Sequence, residues 1–442
     1  MSADSIKEPP PASTPAPAAE CAHLLEFKQF LASTAAKATA VSEDLTRSCV
    51  TRTSNDTYKV SVEERHAELV AAIWQQLNNR GCPAGFRLKL LHQATQLLEQ
   101  EICYAKECEV SGEGPPQYDL LKLQKFVGNQ MDKLLIKLTD NSEMERLKDY
   151  ADEGVICQNP EHCVCGLAQA ALHTSAAVKN KPRKMEDRHV CLDRFGAIFE
   201  LPNRDCRFFG VFDGHSGSLS ASYVTSQLPQ LLANQLKRTE DLEAAHSSSD
   251  FYRNAFETAF LQADERFIQK RITSGTTSVC ALINRDQLYI AWVGDSKALL
   301  VGKRTQLQLV KPHKPESPDE RKRIEAAGGT VLHAQGQWRV NGILNVARSI
   351  GDYCLEAVIA EPDFVDVHLN EAHDFLVLGT DGLWDHVPES FVIDTVYERL
   401  ADTTTKLDDI PKLLIEAAKD GDSQDNITAV IVLLKPRHQI ER

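Results

Sequence analysis

At 442 residues, with 42 % apolar and 25 % charged side chains, the chain exceeds one average domain and has the composition of a soluble globular protein able to bury a substantial core. Its 63 acidic against 49 basic residues give a net charge of −14, which argues against a nucleic acid or an anionic membrane as main partner. No apolar run approaches the roughly 18 to 20 residues of a membrane span, and the opening Met1-Ser2-Ala3-Asp4-Ser5 lacks the regions of a signal peptide, so a cytoplasmic protein, with the nucleus open to it, is expected.

Residues 1–20, rich in Pro and Ala, read as an unpacked tail. From Cys21 the apolar residues recur at helical spacing: Leu24, Leu25, Phe27, Phe30 and Leu31, then Leu69, Val70, Ile73, Trp74 and Leu77, then Leu90, Leu91, Ala94, Leu97 and Leu98. The pattern resumes through Leu120, Leu123, Phe126, Leu134, Leu135 and Leu138, so residues 21–150 are expected to form a smaller all-helical domain. Nothing in it resembles a catalytic cluster, which leaves a stabilising appendage or a partner-binding module. Residues 151–177 read as a linker, and within them Cys157, His162, Cys163 and Cys165 offer zinc-ligand chemistry at a spacing that matches no standard finger. Most of the 12 cysteines are expected to be free, buried thiols.

Beyond Asn180 the texture changes to short β-rich runs separated by turns. Strands are expected at 208–212, 278–283, 288–293, 298–301, 342–346, 364–367, 375–378 and 427–434, and helices at 219–236, 251–270, 318–327, 390–400 and 410–419. That order predicts an α+β domain over 178–436, with antiparallel sheets covered by helices. Neither Gly-x-Gly-x-x-Gly nor a Gly-Lys-Ser/Thr loop occurs, which puts nucleotide binding out of the front rank.

Three acidic motifs stand at the edges of apolar runs: Phe212-Asp213-Gly214-His215, Thr380-Asp381-Gly382-Leu383-Trp384-Asp385 and Asp425-Asn426-Ile427-Thr428. Carboxylate and carbonyl oxygens are the ligands preferred by Mg²⁺ and Mn²⁺, so aspartates gathered from distant strands point to a hard-metal centre and to a metal-dependent hydrolase.

Together with Lys184-Met185-Glu186-Asp187, Ser274-Gly275-Thr276-Thr277, Gly294-Asp295-Ser296 and Arg348-Ser349-Ile350-Gly351-Asp352, these motifs follow the order found in metal-dependent Ser/Thr phosphatases of the PP2C type, which the chain resembles over about 178–436. The resemblance implies an antiparallel β-sandwich flanked by helices, with two Mg²⁺ or Mn²⁺ ions and a weaker third at one end. It implies that Asp213 bridges the two metals, that Gly214 gives one of them a carbonyl oxygen with Glu186 and Asp187 in support, and that Asp381 and Asp425 hold the other. Asp295, with Asp381, would take the third ion. A hydroxide between the metals would attack phosphorus, and His215 would protonate the departing serine or threonine oxygen. Residues 183–190 and 338–342 are most similar to the branch of calmodulin-dependent-kinase phosphatases, which includes the Fem phosphatase of nematode sex determination. That likeness implies phosphoprotein substrates, protein kinases among them, and a protein partner for the helical region.

One position departs from the family pattern. Where an arginine four residues before the metal-site glutamate grips the phosphate, this chain has Pro182. Lys181 and Arg183 flank it and are the candidate phosphate-binding cations, although neighbours on a strand face opposite sides. An alternative reading follows: a catalytically weak scaffold that acts through its helical region, or an adaptor built on the Cys157–Cys165 cluster.

Overall fold

The computed structural model describes residues 22–43, 57–102, 106, 108–110, 114–139, 147–152, 172–238, 248–303 and 305–441. The Pro/Ala-rich tail and the cluster of Cys157, His162, Cys163 and Cys165 lie outside the described residues. Two compact units divide the chain, one taking described residues within 1–48, 77–90 and 132–168, the other those within 49–76, 91–131 and 169–442.

Among the described residues four α-helices precede the sandwich: α1 (Ala22–Glu43), α2 (Val62–Asn79), α3 (Ala84–Ile102) and α4 (Leu120–Lys137). In the first unit Phe27 of α1 stacks on Phe86 at 4.1 Å between ring centroids. Arg80 and Asp132 pair at 2.6 Å. In the second unit α2 begins with a reciprocal cap: the Glu64 N–H donates to Ser61 Oγ at 3.3 Å while the Ser61 N–H donates to Glu64 Oε2 at 2.8 Å, satisfying two donors that the first turn would leave unpaired. In the same unit three short strands, β1 (Lys59–Ser61), β2 (Glu109–Val110) and β3 (Gln117–Asp119), form an antiparallel sheet in the order β1-β3-β2. At two or three residues each, they are too short to show an alternation in the sequence. No helix among the described residues is long and apolar enough to cross a membrane.

The sandwich opens with β4 (His173–Val178), whose Ser and Ala residues carry little strand propensity and which therefore falls, all but Val178, inside the stretch read as linker. It continues through β5 (Arg188–Leu192), β6 (Arg207–Phe212), β7 (Gly214–His215), helices α5 (Leu219–Leu236) and α6 (Ser249–Ile268), β8 (Gly275–Thr276), β9 (Ser278–Asn284), β10 (Gln287–Val293), β11 (Lys297–Gly302) and β12 (Thr305–Gln308). Helix α7 (Pro318–Ala326), β13 (Val331–Ala334), β14 (Gln337–Val340), β15 (Ile350–Gly351), β16 (Asp363–His368), β17 (His373–Gly379), α8 (Glu389–Ala401), α9 (Ile410–Asp420) and β18 (Ile427–Leu433) complete it. One five-stranded sheet runs β16-β10-β9-β6-β5 and the other β12-β11-β17-β18-β4, every pairing antiparallel.

Alternation along the strands divides the core. Phe209, Val211, Val279 and Ile290 of one sheet meet Leu376, Leu378, Val430 and Val432 of the other, while Phe375, Val377, Ile427 and Ile431 point the opposite way into Val392, Val396, Leu414 and Ile415 of α8 and α9. Strands covered on both faces read as continuous apolar runs, which is why 427–434 was conspicuous in the sequence. Tyr252 of α6 stacks on Tyr289 of β10 at 3.9 Å and covers the other outer face.

The expected strand at 342–346 is not one. The chain turns there after the β13–β14 hairpin: Asn341 and Gly342 take φ of +53° and +69°, and the Val340 N–H donates to the Leu344 carbonyl at 2.7 Å. Two consecutive positive φ values redirect the backbone and end the ladder.

Candidate metal centre

Antiparallel pairing brings the ends of β6, β10 and β17 and the starts of β5 and β18 to one end of the sandwich. Asp213 follows β6, Asp295 follows β10, Asp381 follows β17, Asp187 precedes β5 and Asp425 precedes β18. A carboxylate oxygen from each of Asp213, Asp295 and Asp381 lies within 4.8 Å of the others. Asp187 and Asp425 stand near enough to act on that group through their charge.

Each member is fixed from behind. The Asp213 carbonyl accepts from the Thr277 N–H at 2.9 Å and from Thr276 Oγ1 at 3.0 Å. Asp187, 2 % exposed, accepts from Thr428 Oγ1 at 2.7 Å and Thr380 Oγ1 at 3.1 Å. Asn426 Oδ1 accepts the Glu186 N–H at 2.6 Å, and its Nδ2 donates to the carbonyls of Lys179 and Lys184 at 2.7 and 3.1 Å, so one amide ties the 179–187 loop to β18. At Gly214 a Cβ would stand 2.5 Å from the Glu186 carbonyl oxygen, so only glycine lets these two segments approach.

Burial and repulsion act together on the carboxylates. Burial, then the charges of Asp381, Asp187, Asp295 and Asp425, push the Asp213 carboxyl well above its ordinary range. Burial, then Asp295, Asp425 and Asp385, push Asp381 up to about 8. Asp187 rises to about 6 through burial, against the pull of its two threonine hydrogen bonds. Packed carboxylates that repel one another, all oxygen donors, fit a hard multivalent cation, which relieves the repulsion on binding. Part of this charge is already answered: the Lys314 ammonium pairs with Asp295 Oδ2. Burial pulls the Lys314 pKa down, but Asp295 more than offsets it and holds the pKa above the usual value.

His215 stands beside the cluster with Nε2 2.7 Å from Asp352 Oδ2. Asp352 is 6 % exposed, sits at φ +52° and accepts Ser349 Oγ at 2.5 Å on the same oxygen. Lys181 and Arg183 are exposed, and neither side chain makes a hydrogen bond or ion pair among the described residues. Next to them Lys179 Nζ donates to the Pro182 carbonyl at 2.6 Å.

Sequence alone assigns no role to Lys314, nor to Asp352 beyond its place in the Arg348–Asp352 motif. Each lies far along the chain from its partner, 137 positions from His215 and 19 from Asp295, so no local pattern connects them.

The protein phosphatase 2C family profile matches residues 172–427, more than half of the chain, and the chain belongs to that family. It is 32 % identical over 388 residues to protein phosphatase 1E of Mus musculus, covering 85 % of this chain and 48 % of that protein. With protein phosphatase 1F of Mus musculus it shares 34 % over 387 residues, covering 85 % and 80 %. The chain thus spans about half the length of the first of these relatives. A solved structure of a C. elegans sex-determining protein covers 96 % of this chain and 98 % of its own at a TM-score of 0.71 and 20 % identity, which shows a shared fold. The relationship expected from residues 183–190 and 338–342 is borne out by the relatives of 32 % and 34 % identity.

Proposed function

We propose that this chain is a Mg²⁺- or Mn²⁺-dependent protein serine/threonine phosphatase, and the observation that carries this reading is the convergence of Asp213, Asp295 and Asp381 within 4.8 Å at one end of the sandwich. Asp213, the Gly214 carbonyl, Asp381 and Asp425 would hold two ions, with Glu186 and Asp187 in support and Asp295 at a weaker third position. Bound divalent ions acidify water and neutralise the charge of a phosphoryl group. With Nε2 of His215 occupied by Asp352, Nδ1 is the nitrogen left to protonate the leaving serine or threonine oxygen. The substrates are phosphoproteins, with phosphorylated kinases the class that the branch resemblance suggests, and residues 21–150 are a partner-binding or accessory region.

Lys181 and Arg183 are the cations available to hold the substrate phosphate. Their exposure, with Pro182 between them, favours one further reading, a weak enzyme whose main role is scaffolding. Hydrolysis of a phosphothreonine peptide by the full chain with Mn²⁺, with and without chelator and beside Asp213→Ala, separates the two. Chelator-sensitive turnover lost in Asp213→Ala supports the phosphatase; turnover no higher than that of a folded Asp213→Ala protein supports the scaffold.

A further inference from the structure

We propose that the end of the sandwich remote from the acidic cluster carries a second binding site, one for a small polyanion bearing phosphoryl groups. The first residue of β6, the β9–β10 and β11–β12 turns, the β16–β17 turn and the end of β18 line a cleft of about 580 Å³, within the roughly 300 to 1,000 Å³ typical of ligand sites. Strand β6 runs from Arg207 in this cleft to Phe212, next to Asp213. Six residues of extended chain separate the two sites by about 20 Å, so the cleft is not an arm of the metal centre.

The cleft is basic in a chain whose net charge is −14, with Arg207, Arg285, Lys303 and Lys435 on its walls. Two of these already have partners. Lys435 Nζ lies 2.8 Å from buried Asp374 Oδ1 and donates to the Glu371 carbonyl at 2.6 Å, so it belongs to the wall. Lys303 faces Glu441 at 3.5 Å, both well exposed, a pairing weak enough to exchange.

The two arginines are different. Arg207 Nη1 is buried and has no hydrogen-bond partner among the described residues, and Asp193 acts on this guanidinium only through space. Arg285 stands exposed at φ +57°, with no hydrogen bond or ion pair among the described residues. Neither arginine forms an ion pair with a carboxylate at the rim among the described residues, and Asp286 faces His368 at 3.7 Å.

A guanidinium on the cleft wall with a buried N–H that lacks an acceptor is a costly arrangement, relieved when the side chain turns to meet a ligand oxygen. Its planar fork matches the paired oxygens of a phosphoryl group. Two unpaired guanidinium groups with an exchangeable lysine beside them suit a doubly ionised group better than a single carboxylate. Leu369 and Leu434 give an apolar wall for the rest of the ligand.

The test is calorimetric titration of inorganic pyrophosphate, and separately of citrate, into the full chain carrying Asp213→Ala, without divalent ions and at about 0.15 M salt, where diffuse attraction is screened. Saturable one-to-one binding of pyrophosphate is expected. Arg207→Met should weaken it about 10- to 100-fold, the worth of a charge-assisted hydrogen bond, and the exposed Arg285→Gln change should weaken it in the same direction without threatening the fold. Citrate should bind at least about tenfold more weakly. In a chain with an intact metal centre, Arg207→Met should leave hydrolysis of p-nitrophenyl phosphate unchanged, which keeps this site distinct from the catalytic one. Absent saturation, affinity indifferent to both substitutions, or citrate binding as tightly as pyrophosphate would each overturn the proposal.

Discussion

The Nε2 of His215 stands 2.7 Å from a carboxylate that is itself fixed by Ser349, and this contact decides which ring nitrogen can face a substrate. If His215 protonates the leaving oxygen, Asp352 is its positioning residue, and Asp352→Asn tests the point because it keeps the shape while removing the charge. Turnover of a phosphothreonine peptide, whose alkoxide needs the proton, should fall about 10- to 100-fold, while p-nitrophenyl phosphate, whose leaving group departs unaided, should lose far less. Equal losses on both substrates would reduce Asp352 to a scaffold for the loop. At Pro182 the expected direction is reversed. Pro182→Arg should raise kcat/KM for the peptide by about tenfold or more by adding a charge-assisted phosphate contact, and no gain would mean that Lys181 or Arg183 already supplies it. The aspartates were legible because each sits in a short motif beside an apolar strand. Asp352 and Lys314 were not, because their meaning depends on which strand ends the sandwich brings together.

Helix α2 is joined to α5 by a buried polar network that no sequence pattern announces. Glu68 Oε1 accepts from Tyr58 at 2.9 Å, from Ser226 Oγ at 2.7 Å and from Gln227 Nε2 at 2.8 Å, while Glu64 Oε1 accepts from Tyr223 at 2.7 Å and its Oε2 lies 2.9 Å from Lys270 Nζ. In the sequence both glutamates look like the solvated face of an amphipathic helix, whereas α5 and α6 were recognised nearly residue for residue from their apolar spacing. Burial raises the Glu68 pKa, so between about pH 4 and that raised value the native state holds a proton that the unfolded chain gives up, and stability falls as pH rises. Glu68→Gln keeps the acceptor and removes the titration; its advantage over the parent chain in denaturant unfolding should therefore grow from pH 4 to pH 7. Glu68→Leu strands three buried donors and should cost about 2 to 4 kcal/mol. Burial also pushes Glu64 up, but Lys270 outweighs it and leaves the pKa below the ordinary value, so this contribution is present at neutral pH and is lost on acidification. A Glu68→Gln protein less stable than the parent at pH 7 would show that the ionised form earns its place through hydrogen bonding.

Across the whole molecule, the acidic cluster sets the ion-binding proposal against the stability of the fold. An overall charge of −14 adds diffuse repulsion, but the concentrated cost lies where Asp213, Asp295 and Asp381 converge, and where burial and neighbouring charges disfavour the ionised forms of Asp213 and Asp381. Removing one of these charges should then stabilise the metal-free protein, as happens when a site is built for function at the expense of stability. Asp381→Asn should accordingly melt higher than the parent chain in chelator. The order should reverse when Mn²⁺ is added, because ligand binding stabilises only a chain that can bind, by about 2.7 kcal/mol at an ion concentration a hundred times Kd. Melting both proteins in chelator and across a Mn²⁺ series checks both halves at once. A parent chain indifferent to Mn²⁺ would mean that the acidic cluster does not bind the ion. An Asp381→Asn chain that melts lower in chelator would instead show that Lys314, paired with Asp295, already neutralises the cluster enough to hold the end of the sandwich together.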